Sequence, residues 1–150
     1  MILIQNRVRA ISFDVAAFEK KAATVLEYLN YKDFDLNILI TTNKTVKKYN
    51  REYRNKDKAT DIISFPYHPD LKAGQKIKVK TDDDRAIGDI LIALEYVYKN
   101  RHNLEGTFIE RMDRMLVHGI FHCLGYDHIE DKDYKVMYAL EKKLLALIQK

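Results

Sequence analysis

The sequence predicts one α/β or α+β domain over residues 1–150, with a small mixed sheet of about four strands packed by about five helices. Three observations lead to this fold class. The length suits one compact domain with its own core and is short for two. Hydrophobic residues at 47% and charged residues at 32% are typical of a globular chain. Short β-rich segments and longer amphipathic segments follow the order β-α-β-α-β-loop-β-α-α-α.

Strands and helices alternate in the first half of the chain. Apolar or β-branched runs predict strands at residues 2–9, 35–41 and 60–66, the last ending at Pro66. Asp14 is a suitable N-cap for a helix that reaches about residue 30, with apolar positions three and four residues apart. Thr42 or Asn43 can cap the next helix, which is expected to end near Asn55.

The second half begins with a polar segment and is then mainly helical. Residues 67–85 are predicted to form a long surface loop or an irregular hairpin, in which Ile77 and Val79 allow one short strand. A buried strand is predicted at 88–93 and a helix at 94–101. Thr107 and Glu110 form a capping-box pattern before a long helix that runs to residue 124, and Asp131 opens the last helix.

Composition indicates a cytoplasmic protein. No apolar run approaches the ~20 residues that a membrane span needs, so we expect no membrane association. The first residues lack a basic leader and a cleavable apolar segment. Cys123 is the single cysteine, which excludes an internal disulfide framework and fits a reducing compartment.

Residues 44–58 are strongly basic. They contain seven basic and two acidic side chains, with Tyr49 and Tyr53 interleaved. A solvated helix face and a nucleic-acid surface both fit this pattern. The residues predicted to contact nucleic acid here are Lys44, Lys47, Lys48 and Arg51.

The segment 118–128 holds three of the five histidines. His118 and His122 are four residues apart, so on a helix they project about 40° from one another. Gly125 can end the helix in a left-handed conformation and turn His128 back toward them. Three neutral imidazoles with one open position are the ligand set of a catalytic zinc site. The alternative is that each histidine is separately hydrogen-bonded or exposed.

The same histidine spacing occurs in metzincin proteases, but the residue after the first histidine differs. Those enzymes have a glutamate that serves as general base, and this chain has Gly119. A protease is therefore disfavoured. We also expect Gly119 to remove side-chain bulk beside the metal, which would leave room for a nucleic-acid backbone.

Other residues in and near the segment 118–128 also have predicted positions or roles. Arg111 and Arg114 precede His118 by seven and four residues, so they either continue the histidine stripe as a basic track for nucleic acid or are solvated charges. Cys123 points about 100° away from His122 and is expected to pack inward. Asp127 either orients a histidine ligand as an outer-shell residue or caps the turn.

Three separated motifs resemble one known family. They are HGxxHxLGYDH at 118–128, NxxYRxKDxxTDxxSFP at 50–66 and GDI at 88–90. Their types and order are similar to those of the YbeY endoribonucleases, bacterial ribosomal RNA maturation factors. Phe121 and Cys123 stand where leucine is common in the family, and both keep the apolar character.

The resemblance implies a function and the residues that perform it. It implies a single metal-dependent endoribonuclease domain that cleaves single-stranded RNA, matures the 3′ end of small-subunit rRNA and acts in ribosome quality control, with rRNA precursors and ribosomal components as partners. His118, His122 and His128 would bind one zinc ion, and Arg54 would be the catalytic arginine. Zinc activates water, and Arg54 can stabilise phosphate charge. The proton acceptor stays open between the substrate phosphate, Asp127 and bulk water.

Two other functions are compatible with these residues. One is a metal-dependent hydrolase of a peptide or a small molecule. The other is a non-catalytic ribosome-assembly factor that binds RNA through its basic helix and keeps zinc for stability.

Overall fold

A mixed four-stranded sheet forms the centre of the described residues, 1–56, 60–100 and 106–149 of a computed structural model. Its strands are β1 (Ile2–Asn6), β2 (Asp35–Thr41), β3 (Ile62–Pro66) and β4 (Ala86–Ala93). The strand order is β1-β2-β4-β3, with β1, β2 and β4 parallel and the edge strand β3 antiparallel to β4. The predicted mixed sheet is confirmed.

Five α-helices surround this sheet within the described ranges. They are α1 (Val15–Tyr28), α2 (Asn43–Arg54), α3 (Leu94–Lys99), α4 (Phe108–Cys123) and α5 (Asp131–Ile148). Helix α5 packs on α4 and α1. The predicted element order is confirmed. None of the helices in the described part of the chain combines the length and apolarity that a membrane crossing needs.

The two faces of the sheet carry different helices. Alternate residues of a strand point to opposite faces, so Ile38 and Ile90 join the main core with α1, α4 and α5. Ile63 and Leu91 point the other way and pack with Val46 of α2. Burying one such aliphatic side chain contributes about 1.5–3 kcal/mol, so both layers stabilise the sheet. Helices α2 and α4 consequently lie on opposite faces.

Capping side chains set the helix starts as the sequence predicts. Asp14 accepts a hydrogen bond from the backbone N–H of Ala17 at 3.0 Å, which starts α1. Thr42, rather than Asn43, is the N-cap of α2. At α4, Thr107 Oγ1 accepts from the Glu110 N–H at 3.1 Å, and Glu110 Oε1 accepts from the Thr107 N–H at 3.0 Å.

Several element boundaries differ from the prediction. Strand β1 ends at Asn6 instead of residue 9, because the Asn6 side chain accepts the Val8 N–H at 2.9 Å and turns the chain away. Strand β3 starts two residues later than predicted, and β4 two residues earlier. Helix α3 ends at Lys99, and the predicted end at residue 101 lies outside the described residues.

The short strand predicted around Ile77 and Val79 is wrong. This part of the 67–85 segment is loop, followed by a 3-10 turn at Asp82–Asp84. Ile77 is nevertheless buried, and its N–H donates to the Tyr31 hydroxyl at 3.2 Å. The Tyr31 hydroxyl thus accepts the hydrogen bond that a carbonyl of a neighbouring strand would accept in a sheet.

Candidate metal centre

Three histidine side chains converge at the carboxyl end of α4. One ligand atom from each of His118, His122 and His128 lies within 4.8 Å of the other two. The Nε2 atoms of His118 and His122 are 2.9 Å apart. The His128 ring centroid lies 5.3 Å from that of His118 and 5.1 Å from that of His122. The cluster expected from the spacing therefore forms, and exposed His128 leaves one side open to solvent.

A glycine turn brings His128 to the other two rings. Gly125 has φ +91°, the left-handed conformation predicted for the residue that ends the helix. A Cβ atom there would collide with the carbonyl of Leu71, so the turn also packs closely on the 67–85 loop. After the turn, Asp127 Oδ1 accepts the N–H groups of His128 at 2.6 Å and Ile129 at 3.1 Å. Asp127 therefore caps this turn, one of its two predicted roles.

Glu141 is a member of the site that sequence reasoning missed. His118 Nδ1 donates to Glu141 Oε1 at 2.7 Å, and the carboxylate is mostly buried, with 13% of its side chain exposed. This bond fixes the proton on Nδ1 and leaves the Nε2 lone pair directed at the other histidines. Glu141 lies on α5, 23 residues from His118, so no local spacing signals the contact.

The protonation of His122 suits a ligand role. Burial and the neighbouring His118 and His128 lower the pKa of His122 from 6.5 to about 4. His122 is consequently neutral at pH 7, the form that binds a metal ion. Three imidazoles with converging nitrogens, one of them oriented by a carboxylate, fit a divalent ion such as zinc.

Gly119 does not face the site. A Cβ at this buried position would lie 2.9 Å from Ile90 Cδ1 and 3.0 Å from Ile62 Cδ1. The glycine thus lets α4 approach β3 and β4 closely. The expectation that Gly119 opens space beside a metal is wrong, because residue 119 lies on the sheet-facing side of the helix.

His118 and His128 open into a cleft between α4, α5 and β3. Its volume is about 620 Å³, and His118 and His128 line it together with Arg111, Arg114 and Asp61. Burial and the nearby Arg114 lower the pKa of Arg111, while Asp61 acts in the opposite direction. The two arginines predicted as a basic track therefore do share the histidine cleft.

The predicted residues of α2 lie elsewhere. Helix α2 packs on the other sheet face, and Arg54 ends it without lining the histidine cleft. The structure therefore does not bring Arg54 into contact with the histidine cluster. The basic side chains of this helix are exposed: Lys44, Lys47, Lys48, Arg51 and Arg54. Lys58, the last basic residue of the stretch, lies outside the described residues.

The remaining candidate side chains are not part of the cluster. Cys123 is 1% exposed, and burial raises the pKa of its thiol to about 12, so it packs inward as expected. His68 is half-buried, with Nε2 2.9 Å from the carbonyl oxygen of Asp84. His102 lies outside the described residues.

The fold and the site together define the class of this protein. It is a single-sheet α/β protein whose long helix and following turn present a three-histidine candidate metal centre in an open, arginine-lined cleft. The chain belongs to the endoribonuclease YbeY family, whose model matches residues 3–149. The family resemblance carried by the three sequence motifs is thereby confirmed.

Known proteins similar to this chain agree with that membership. Endoribonuclease YbeY of Persephonella marina is 32% identical over 149 residues, which cover 99% of this chain and 92% of the relative. Endoribonuclease YbeY of Homo sapiens is 32% identical over 144 residues, covering 96% and 86%. The solution structure of TM1509 from Thermotoga maritima has the same fold, with a TM-score of 0.64, 24% identity and coverage of 99% and 89%.

Proposed function

We propose that this chain is a metal-dependent endoribonuclease that cleaves single-stranded RNA in the cytoplasm. Its setting would be maturation of the 3′ end of small-subunit rRNA and ribosome quality control, with rRNA precursors and ribosomal components as partners. The observation that carries the proposal is that two histidines of the cluster, His118 and His128, line one cleft with Arg111 and Arg114. Membership of a family of endoribonucleases supports the same substrate class.

One zinc ion is the cofactor that we assign to His118, His122 and His128. Neutral imidazole nitrogens suit zinc, although other late transition metals also bind them. When bound, such an ion supplies Lewis-acid chemistry, lowering the pKa of water and polarising a phosphoryl oxygen. Glu141 holds His118 in the tautomer that ligation needs, and Asp127 holds the backbone of His128.

Cationic side chains of the chain would bind the RNA. Arg111 and Arg114 can make bidentate hydrogen bonds to phosphates beside the histidines. Arg54, implied as catalytic by the family resemblance, is proposed to bind a phosphate of RNA that passes around the edge strand β3 and so to position the RNA for cleavage at the histidines. The exposed residues of α2 would hold flanking RNA on the opposite face: Lys44, Lys47, Lys48 and Arg51.

The site favours this function over the two alternatives. A peptide hydrolase of the metzincin type needs a glutamate at position 119, and Gly119 is buried against the sheet. Structural zinc sites are usually closed by four protein ligands, whereas His128 is exposed and the cluster faces a cleft. Paired arginines in that cleft favour a phosphodiester over an uncharged small molecule.

Replacing one histidine tests the proposal. We expect His122→Ala to lose bound metal and the cleavage of single-stranded RNA while circular dichroism shows an intact fold. His68→Ala is the matched control, because His68 is half-buried but lies outside the cluster. Persistent RNA cleavage by purified His122→Ala protein would refute the metal mechanism. Loss of the fold together with the metal would instead favour structural zinc.

A further inference from the structure

Two exposed tyrosines line the histidine cleft. Tyr134 is 53% exposed and Tyr138 is 51% exposed, although both border the same cleft as His118 and His128. Their rings lie on successive turns of α5 and are nearly parallel, with centroids 5.9 Å apart and an interplanar angle of 16°. The pair therefore presents aromatic surface to the cleft instead of to the core.

The tyrosines and the arginines lie on opposite sides of the histidines. Helices α4 and α5 run antiparallel, since His118 contacts Glu141 while Asp113, earlier on α4, contacts Gln149, later on α5. Arg114 and Arg111 precede His118 by about 6 Å and 10.5 Å along α4. Tyr138 and Tyr134 precede Glu141 by about 4.5 Å and 10.5 Å along α5. Because the two helices are antiparallel, the tyrosines are displaced from the histidines in the direction opposite to the arginines.

We propose that Tyr134 and Tyr138 form a base-stacking platform for an unpaired nucleotide next to the scissile phosphate. The inference rests on the proposed function and adds a binding subsite to it. Aromatic faces bind nucleobases by stacking, and every base offers a π-face, so the platform accepts any sequence. Arg111 and Arg114 then hold the phosphates on the opposite side of the histidines.

This arrangement selects single-stranded RNA by a physical mechanism. Bases in a duplex are already stacked and paired, so their faces are inaccessible to Tyr138. Only a strand with a free base can engage the arginines and the tyrosines together. Specificity for unpaired RNA would thus follow from the platform, whereas the arginines alone bind the backbone of any strand.

Fluorescence of a stacked base gives a direct test. The wild-type protein and its variants are mixed in a stopped-flow instrument with single-stranded RNA carrying 2-aminopurine, and emission is recorded before cleavage. We expect quenching on binding to the wild-type protein. For Tyr138→Ala we expect loss of most of the quenching and a Kd about 5- to 150-fold higher. Tyr138→Phe keeps the ring and should behave as the wild-type protein.

Matched controls separate the platform from general surface effects. Tyr67→Ala makes the same change at a tyrosine that is 52% exposed and does not line this cleft, so it should leave Kd and quenching unchanged. Metal content should be equal in all variants. If Tyr138→Ala and the Tyr134→Ala/Tyr138→Ala double variant bind and quench as the wild-type protein does, the platform is refuted while cleavage persists. If the wild-type protein neither binds nor cleaves the RNA, the proposed function fails as well.

Discussion

At the scale of single residues, Glu141 has the clearest influence on the candidate metal centre. Its carboxylate accepts from His118 Nδ1 at 2.7 Å and is largely shielded from water. Such a bond restrains the ring and increases the basicity of the ligating nitrogen. The metal affinity of the cluster therefore depends on a residue that is not itself a ligand.

Replacing Glu141 should weaken metal binding without unfolding the protein. We expect Glu141→Ala to lower zinc affinity about 10- to 100-fold, measured by competition with a chelator. Glu141→Gln should lose less, because its amide oxygen still accepts the Nδ1 proton. Glu19→Ala, an exposed change on α1, is the control. Equal affinities for all the Glu141 variants and the wild-type protein would contradict the assigned role.

Arg54 allows a second test at this scale. We expect Arg54→Ala to reduce RNA turnover about 10-fold or more, because one charged phosphate contact that positions the RNA is lost. Zinc content should stay at the wild-type level, since Arg54 does not line the histidine cleft. Arg54→Lys keeps the charge but not the planar fork and should recover only part of the rate. A normal turnover rate for Arg54→Ala would remove the residue from the mechanism.

At the scale of elements, the turn between α4 and α5 positions the third histidine. Gly125 provides both a left-handed backbone and space for the Leu71 carbonyl. Asp127 then directs the backbone of His128. The turn consequently packs on Leu71 of the 67–85 loop, which supports the position of His128 without supplying a ligand.

A pair of glycine variants separates backbone strain from close packing. Gly74 also has a positive φ, +85°, but a Cβ there would have nothing within 4 Å. Gly74→Ala should therefore show only the conformational cost of about 1–2 kcal/mol. Gly125→Ala adds the collision with Leu71, so we expect a larger loss in the free energy of unfolding, measured with urea, and reduced metal content. Equal losses would show that the close approach is unimportant.

Helix α1 is joined to α4 by a partly buried ion pair that should affect stability. Lys21 Nζ donates to Asp113 Oδ2 at 2.9 Å, and the Asp113 side chain is 2% exposed. Burial raises the pKa of Asp113 above 3.8, and the hydrogen bond from Lys21 opposes this shift. The folded protein therefore holds this proton more tightly than the unfolded chain does.

The pH dependence of unfolding tests this effect. Above pH 3.8 the folded state binds more protons at Asp113, so the contribution of this residue to stability falls as pH rises through its raised pKa. We expect the free energy of unfolding of the wild-type protein, relative to Asp113→Asn, to decrease over this range and then level off. A relative stability that increases with pH would contradict the shift.

At the scale of the whole molecule, the sheet separates two basic surfaces. Arg111 and Arg114 lie in the histidine cleft, while Lys47 and its neighbours lie on α2 across the sheet. A strand of RNA that contacts both surfaces has to pass the edge strand β3. The two surfaces thus make separable contributions to binding.

Salt dependence measures each contribution. Every phosphate contact to single-stranded RNA adds about −0.7 to the slope of log K against log salt. We expect Arg114→Gln and Lys47→Gln each to flatten the slope by about 0.7, and the double variant to flatten it by the sum. Lys20→Gln, an exposed change on α1, should leave the slope unchanged. An unchanged slope for Lys47→Gln would identify α2 as a solvated face.

Local sequence patterns were sufficient to predict the helices and strands and the placement of two histidines on one helix face. Capping by Thr107, the periodicity of α4 and the left-handed turn at Gly125 depend on neighbouring residues, so all three were predictable. The same holds for His118 and His122, because a separation of four residues places both on one helix face. Boundaries such as the end of β1 were missed, since one Asn6 side chain redirects the backbone.

Tertiary structure alone decided which distant residues meet the histidines. The position of Glu141 against His118 depends on how α5 packs across α4, and the burial of Gly119 depends on the approach of α4 to the sheet. The separation of the α2 surface from the cleft follows from strand alternation across the sheet. These contacts depend on packing between elements that are far apart in the chain. The spacing of residues along the sequence therefore does not predict them.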